Sequence, residues 1–393
     1  MAVTPLDAFP PELSTPADRL RPHDFYAEMH DSAPIRYDDT RGCWDVFGFD
    51  AVRTVASDPD RFSSRVDANP DYVGSDERSL LADSMLHADP PRHDALRSVV
   101  DHLFTREAVA SLRPTIEETA HGLLDEVAID ATDATVDLVG EYAFPLTVRT
   151  IAEVLGVPES DRERFLEWTK FAMTGSDSVD DPGARRDSLL DYFEEFPGER
   201  TAANGSEDGF AAAVAAAEGL SPAERRSLFS VVLLGGLSMT SLVSNAVWSL
   251  DEADLVPPVR SDRDAVERAV EETLRYRSPV QAHSRYATAE VTVAGERIEP
   301  GEKLCVWFGA ANHDPTVFDD PGTFDLDRDL SGHVAFGHGT HYCLGASLAR
   351  LEATVAIAAL FERFDSLTVE TGAIEPTESM LVYGPSTLPV SGT

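Results

Sequence analysis

Lysine is almost missing from this chain of 393 residues: Lys170 and Lys303 are the only two, and arginine supplies the other 30 positive charges. Against them stand 70 aspartates and glutamates, leaving a net charge of −38. Such a surface repels nucleic acid and anionic membranes, so neither is expected as a partner. The imbalance exceeds what ordinary cytoplasm requires and reads as adaptation to a salty interior, where a screening length of roughly 3 Å at molar salt mutes repulsion between carboxylates. Cysteine is scarce as well. Cys43, Cys305 and Cys343 lie far apart with no C-x-x-C spacing, which fits neither a disulfide framework nor a structural zinc site. Residues 1 to 20 lack a basic leader followed by an apolar run, so no secretory signal is read there. The longest apolar stretch, Phe229 to Leu237, is about half of what spans a bilayer. A soluble, cytoplasmic protein is expected.

What is present suffices for a sizeable core, with 42% hydrophobic residues and 8% aromatics. No internal repeat or domain boundary stands out, and residues 1–393 read as one domain. The segment HDFYAEMHDSAP predicts a helix ending before Pro34, and CWDVFGF a strand, so a small sheet is expected near the start. From about Asp89 to Ser278 the pattern is mostly helical. Within it, GERTAANGSEDG reads as a connector ahead of an Ala-rich helix. Ser221, Pro222 and Glu224 form a capping-box signature that opens a long helix running to about Leu250. Its middle, VVLLGGL, is apolar on every side and predicts a helix crossing the interior. Gly235 and Gly236 there each cost about 1 kcal/mol of helix stability, which implies that either a flat group or another helix approaches the backbone. Strand character returns in ATAEVTVAG and KLCVWFGA, before a final helix over 343 to 364 and a short β-like tail. The fold class is mainly α with a small β region.

Phe336 to Arg350, FGHGTHYCLGASLAR, is the most informative stretch. Cys343 stands where an amphipathic helix begins, and free amide hydrogens with the helix dipole would favour its thiolate. Glycines 337, 339 and 345 let the backbone turn tightly and aim amides at the sulfur. That suits a metal-bound thiolate pressed beneath a planar cofactor. A buried structural cysteine is the alternative, and so is a nucleophilic cysteine using His341 or His338 as base, although nothing marks an oxyanion hole or an orienting acid.

The run FGHGTHYCLG resembles the cytochrome P450 family, fitting its pattern F-G-x-G-x-H-x-C-x-G at every fixed position. The resemblance implies that Cys343 is the proximal thiolate ligand of a haem iron, with Phe336 and Gly345 framing the loop. VEETLRYRSPV is similar to the family's E-x-x-R helix, which implies a structural network between Glu272, Arg275 and the turn-rich segment NHDPTVFDDPGTFD. ADPPRHDALRSVV resembles the helix flanking the haem, with His93 and Arg97 at i and i+4 on one face. Together with Arg285 and His341 these match family positions that contact the haem propionates, where arginine can bind carboxylate bidentately. The tail SMLVYGPSTLPV resembles a C-terminal hairpin that reaches the substrate pocket. Met85, Leu86, Leu237, Val280, Gln281, Leu381 and Val382 occupy positions like those around the family's distal pocket.

The pattern breaks on the long helix. The family carries an acid and an alcohol there to relay protons; here the acid position is Ser238 and the alcohol position Met239. Thr240, one residue on, is rotated about 100° around a regular helix. Ser238 and Thr240 are therefore the hydroxyls available to a relay, supplemented by water or a substrate hydroxyl, and leakage of peroxide is expected. The resemblance implies the cytochrome P450 fold holding haem b (iron protoporphyrin IX) non-covalently, since no C-x-x-C-H is present. It also implies insertion of one oxygen atom from O2 into an apolar small molecule, with electrons from a separate ferredoxin and ferredoxin reductase. An H2O2-using peroxygenase and a non-catalytic haem-thiolate ligand-binding protein are the other two readings.

Overall fold

The structure, a computed structural model, describes residues 8–68, 81, 83–127, 135–174, 188–194 and 209–392. The connector expected at GERTAANGSEDG lies outside the described residues, apart from its last glycine.

Helices dominate, and five short strands form the largest sheet. The strands are β1 (Ile35–Asp38), β2 (Cys43–Val46), β3 (Phe62–Ser63), β4 (Ala282–Ala287) and β5 (Lys303–Trp307), arranged β1-β2-β5-β4-β3. Only β2 and β5 run parallel, pairing Trp44 with Leu304, so the sheet brings the start of the chain against its last third. The helix His23–Ser32 ends where Pro34 required it to.

The helices that position the site are α1 (Arg92–Ser98), α2 (Phe144–Leu155), α3 (Pro222–Gly236), α4 (Ser238–Glu252), α5 (Arg263–Tyr276) and α6 (Ala346–Arg363). The capping box at the head of α3 is formed: Ser221 Oγ accepts from the Glu224 amide at 3.1 Å and Glu224 Oε2 accepts from the Ser221 amide at 2.8 Å. The expected single helix is divided at Leu237, where the Thr240 amide bonds three residues back to the Leu237 carbonyl at 3.2 Å. Adjacent glycines loosen the ladder enough to allow this tighter turn. The two glycines have different reasons. A Cβ on Gly236 would stand 2.6 Å from Ile151 Cδ1 of α2 and would have to displace that side chain, so close helix packing favours glycine there, whereas a Cβ on Gly235 would meet nothing within 4 Å.

Taken together, Pro222–Glu252 forms 31 residues long and apolar enough to cross a membrane, more than the short apolar run suggested. Within its most apolar window 72% is buried inside the fold, as befits a core helix. The last helix also differs from expectation. It begins at Ala346, three residues after Cys343, and its buried residues run around most of its circumference instead of along one stripe. It is not amphipathic because α4, α5 and the helix Arg113–Glu126 enclose it.

Two adjacent glutamates of α5 tie the helical body to the loops around Cys343. Glu272 and Arg275 are fully buried and joined by two parallel bonds of 2.6 and 2.8 Å. The remaining Arg275 donors reach the carbonyls of Asn312, Pro321 and Thr323. Arg328, which no sequence signal picked out, adds its Nε to Glu272 at 3.4 Å. The neighbouring Glu271 accepts Arg350 Nε and Nη2 and bonds His333 Nε2, each at 2.7 Å, and the Arg350 guanidinium lies over the Phe336 ring at 4.5 Å.

Burial alone would raise the Glu271 pKa, but the Arg350 and His333 bonds outweigh it and hold the carboxyl down at about 2 against an ordinary 4.5. A lowered folded-state value means stability that is complete above pH 4.5 and lost as the pH falls toward 2. Glu271→Gln is expected to cost about 1.5–3 kcal/mol at neutral pH and to flatten the acid limb. Urea unfolding between pH 3 and 7 measures both effects.

Candidate active site

The largely apolar cavity of the fold lies between α3, α4 and the loop before α6. Cys343 is on its floor, and its amide donates to the Phe336 carbonyl at 2.9 Å. Gly337 and Gly339 take φ of +75° and +72°, conformations that other residues rarely adopt. Gly339 is needed twice over, since a Cβ there would stand 2.7 Å from Ser57 Cα. The loop is thus pressed onto the helix Phe49–Ser57, and its shape does not depend on the sulfur.

The residue is half-buried. Burial pushes its pKa up, and a bond from the Gly345 backbone pulls it only part of the way back. The expectation that helix-start amides favour the thiolate is therefore corrected for the bare chain: α6 starts too late, and the thiol is the favoured form until an electrophile binds it.

One rim of the cavity is cationic. His93 and Arg97 from α1, Arg285 from β4 and His341 from the cysteine loop all line it. The His93 and His341 rings are 4.4 Å apart, and His341 Nε2 bonds Ser64 Oγ at 2.9 Å. Arg97 donates to the Tyr342 carbonyl at 2.7 Å. Arg285 is buried, donates to the Ser284 carbonyl at 2.8 Å, and has no carboxylate within ion-pair distance among the described residues. Burial lowers its pKa to about 10, with Asp89 opposing from farther away. Burial, then Arg285 and His93, hold His341 near 2. Arg285 and His341 are thus both held back from carrying charge, His341 in part by its basic neighbours, an arrangement that an anion would relieve.

The roof carries Gly235, Ser238 and Met239, and the walls are aliphatic, including Leu81, Ile151, Val231, Val280, Leu381 and Val382. Met85 and Leu86 line it as expected. Two expected wall residues do not. Leu237 is buried in the core, and Gln281 turns to the opposite side, where its side chain bonds the Tyr26 hydroxyl and the Ser278 carbonyl. Neighbours on an extended segment face opposite ways, so Val280 and Gln281 could not both reach the cavity. Thr240 is also off the cavity lining; its hydroxyl is buried and lacks a hydrogen-bond partner. Ser238 lines the cavity and donates to the Gly235 carbonyl at 2.9 Å. His283 was missed, although its spacing of two from Arg285 puts both on one face of β4; it lines the cavity, and burial lowers its pKa to about 3.

Comparison with known proteins decides the family. The cytochrome P450 family model matches residues 260–390. Over nearly the whole length, the chain is 36% identical to cytochrome P450 109 of Bacillus spizizenii, with 96% of this chain and 94% of the relative covered. This chain belongs to the cytochrome P450 family. It is 35% identical to a vitamin D(3) 25-hydroxylase of Pseudonocardia autotrophica, covering 94% of this chain and 93% of that one. Its fold matches the crystal structure of CYP109E1 from Bacillus megaterium in complex with testosterone at a TM-score of 0.84, with 31% identity and 96% and 99% coverage. The cytochrome P450 fold expected from the cysteine loop is thereby established, and this P450 is a monooxygenase of the oxidoreductase class. Membership implies a haem cofactor, and the relatives named here are bacterial.

Proposed function

We propose that the chain, 1–393, acts as one catalytic domain that holds haem b between Cys343 below and α3 and α4 above, and oxygenates an apolar small molecule. The observation that carries this is the convergence of one thiol and six arginine and histidine side chains on a single largely apolar cavity. The donor set fits the group. Cys343 would ligate iron as thiolate, while Arg285, which lacks a counter-ion among the described residues, and Arg97, His93 and His341 would take the propionates. Phe336 anchors the loop through its carbonyl, and Gly345 aims its amide toward the sulfur. Haem bound there would supply the redox chemistry by which O2, two electrons and two protons yield one inserted oxygen atom and one water.

The chain's own part is to bind, orient and ration protons. Aliphatic walls select an apolar substrate and exclude water. Support for such a substrate comes from the relative named for vitamin D(3) hydroxylation and from the neighbour crystallised with testosterone. Ser238 can hold a proton at its hydroxyl over the cavity, but Met239 beside it cannot donate one. Thr240, turned away, is left out of the relay. Met239→Thr is expected to raise product formed per NAD(P)H consumed severalfold and to lower peroxide release, measured with ferredoxin and ferredoxin reductase supplied. Turnover with H2O2 alone at a comparable rate would instead favour the peroxygenase reading, which Met239 motivates.

For the electron donor, a surface groove runs to Cys343 on the far side from α4, lined by Arg97, Arg106, Arg113 and Arg350 with Tyr342 at its edge. With Arg97 and Arg350 engaged elsewhere, Arg106 and Arg113 supply the groove's positive charge on a chain of net charge −38, which fits an acidic ferredoxin. Arg106→Glu with Arg113→Glu is expected to raise the KM for ferredoxin about tenfold at low salt, with less effect as salt rises. Steady-state reduction kinetics at two salt concentrations check this.

A further inference from the structure

Three histidines tie the start of the chain to its last third. The helix His23–Ser32 carries His23 and His30, and His313 follows the short helix Phe308–Ala311. The His23 and His313 rings are stacked with centroids 4.6 Å apart, and the Tyr276 ring lies 4.4 Å from that of His23. His23 Nε2 bonds the Tyr276 carbonyl at 3.1 Å, His30 Nε2 the Ala310 carbonyl at 2.8 Å, and His313 Nδ1 the Gly309 carbonyl at 3.0 Å. A carbonyl only accepts, so each of these nitrogens carries the ring proton. The other nitrogen of His313, Nε2, is buried and has no partner among the described residues. A proton added there would have no acceptor.

The charges around this stack are mostly positive. Arg275, Arg277 and Arg21 face His23, while Arg275 and His30 face His313. The acids nearby are committed: Glu272 to Arg275, Glu252 to Arg277 and Arg21, and Asp314 to Thr316 and to the Phe49 amide at 2.8 Å, which leaves it 3.9 Å from His30. Tyr26 and Tyr276 flank both rings, and Tyr383 stands behind Arg277. Desolvation of the ring, then Arg277, lowers the His23 pKa to about 3; desolvation, then His23, holds His313 well below its ordinary 6.5. Both rings are neutral while packed.

The same helix braces the cavity wall. The Tyr26 hydroxyl donates to Gln281 Oε1, and the Leu20 carbonyl just ahead of the helix accepts the Tyr383 hydroxyl at 2.9 Å. Gln281 follows Val280, and Tyr383 follows Leu381 and Val382, three residues that line the cavity. These two segments also hold each other, the Gln281 amide on the Leu381 carbonyl at 3.1 Å and the Tyr383 amide on the Pro279 carbonyl at 2.8 Å.

We infer that the helix His23–Ser32 is an acid-released brace of the cavity wall: neutral His23 and His313 stack to dock it, and proton uptake drives it off, loosening the segments of Val280 and of Leu381 and Val382. That these segments meet a substrate rests on the function proposed above; the release itself does not. Values held below 6.5 in the packed state mean docking that is complete above pH 6.5 and weakens as the pH falls beneath it. With two such rings the opening equilibrium grows by up to about a hundredfold per pH unit.

Hydrogen exchange on the holoprotein from about pH 7.5 to 5, corrected for slower chemical exchange in acid, is the test. Residues 23–32 and the hairpin 377–384 should lose protection together below pH 6.5, by up to about a hundredfold per unit, while α6 stays protected. In His23→Gln with His313→Asn, each amide can renew the donor to its carbonyl but cannot take a proton, so this pH dependence should vanish. If the double variant does not accumulate, either single variant should show a slope of about tenfold per unit. Protection of residues 23–32 that is indifferent to pH, a variant slope equal to the native one, or a hairpin that stays protected while the helix loosens overturns the proposal. Failure of the monooxygenase reading would appear separately, as native protein without the carbon monoxide signature, and would leave these exchange rates untouched.

Discussion

Cys343→Ser is expected to abolish completely the strongly red-shifted Soret band expected of the native protein's reduced carbon monoxide complex, and monooxygenase turnover with it. A serine hydroxyl stays protonated where a thiol gives up its proton to a metal, so the substitution removes the anionic sulfur while changing one atom. The loop should survive. Its form is set by the Cys343 amide bonding to Phe336, by left-handed Gly337 and Gly339, and by the contact of Gly339 with Ser57, none of which involves the sulfur. Circular dichroism and the urea midpoint should therefore match the native protein within about 1 kcal/mol. That combination, an intact fold with the signature gone, separates lost ligation from lost structure. A variant with the native spectrum would show that another side chain holds the iron.

The parts of the site that were legible in the sequence are those whose geometry is local. Cys343 and its glycines lie within ten residues, His93 and Arg97 are one helical turn apart, and Glu272 and Arg275 are nearly so. The cavity wall was harder to read, because it is assembled from segments distant in the chain. Val280 and Gln281 have similar claims by position, and the bonds of the Gln281 side chain to Tyr26 and Ser278 settle which of them faces inward. Arg328 joins Glu272 across 56 residues, and Arg350 joins Glu271 across 79, separations that no periodicity records. The final helix was misjudged for a related reason. Its polar residues suggested a solvent face, but Glu352 is enclosed with its threonines and Arg350 is spent on Glu271 and Phe336. A buried acid looks like a surface one until the neighbours are known.

Arg275→Ala is expected to have the largest effect on stability of any substitution considered, about 3–5 kcal/mol, because it strands a buried carboxylate. The guanidinium satisfies Glu272 with two donors and the carbonyls of Asn312, Pro321 and Thr323 with the rest. Without it, Glu272 keeps the Asp325 amide at 3.0 Å and Arg328 at 3.4 Å, while the buried Asn312 carbonyl and the half-buried Pro321 carbonyl lose this donor and the Thr323 carbonyl is left to Arg328. The damage should spread toward the cofactor site. Asn312, whose carbonyl Arg275 holds, accepts the Val334 amide on its own side chain at 2.7 Å, and Val334 lies just ahead of the cysteine loop. Haem content per chain should therefore fall along with the urea midpoint. Arg275→Lys makes the sharper test, since it retains the charge but not the fork that spans Glu272 and three carbonyls. If lysine restores the midpoint, charge neutralisation of Glu272 is what matters; a loss close to that of alanine assigns the energy to the bidentate geometry that joins α5 to the loops beneath the cavity.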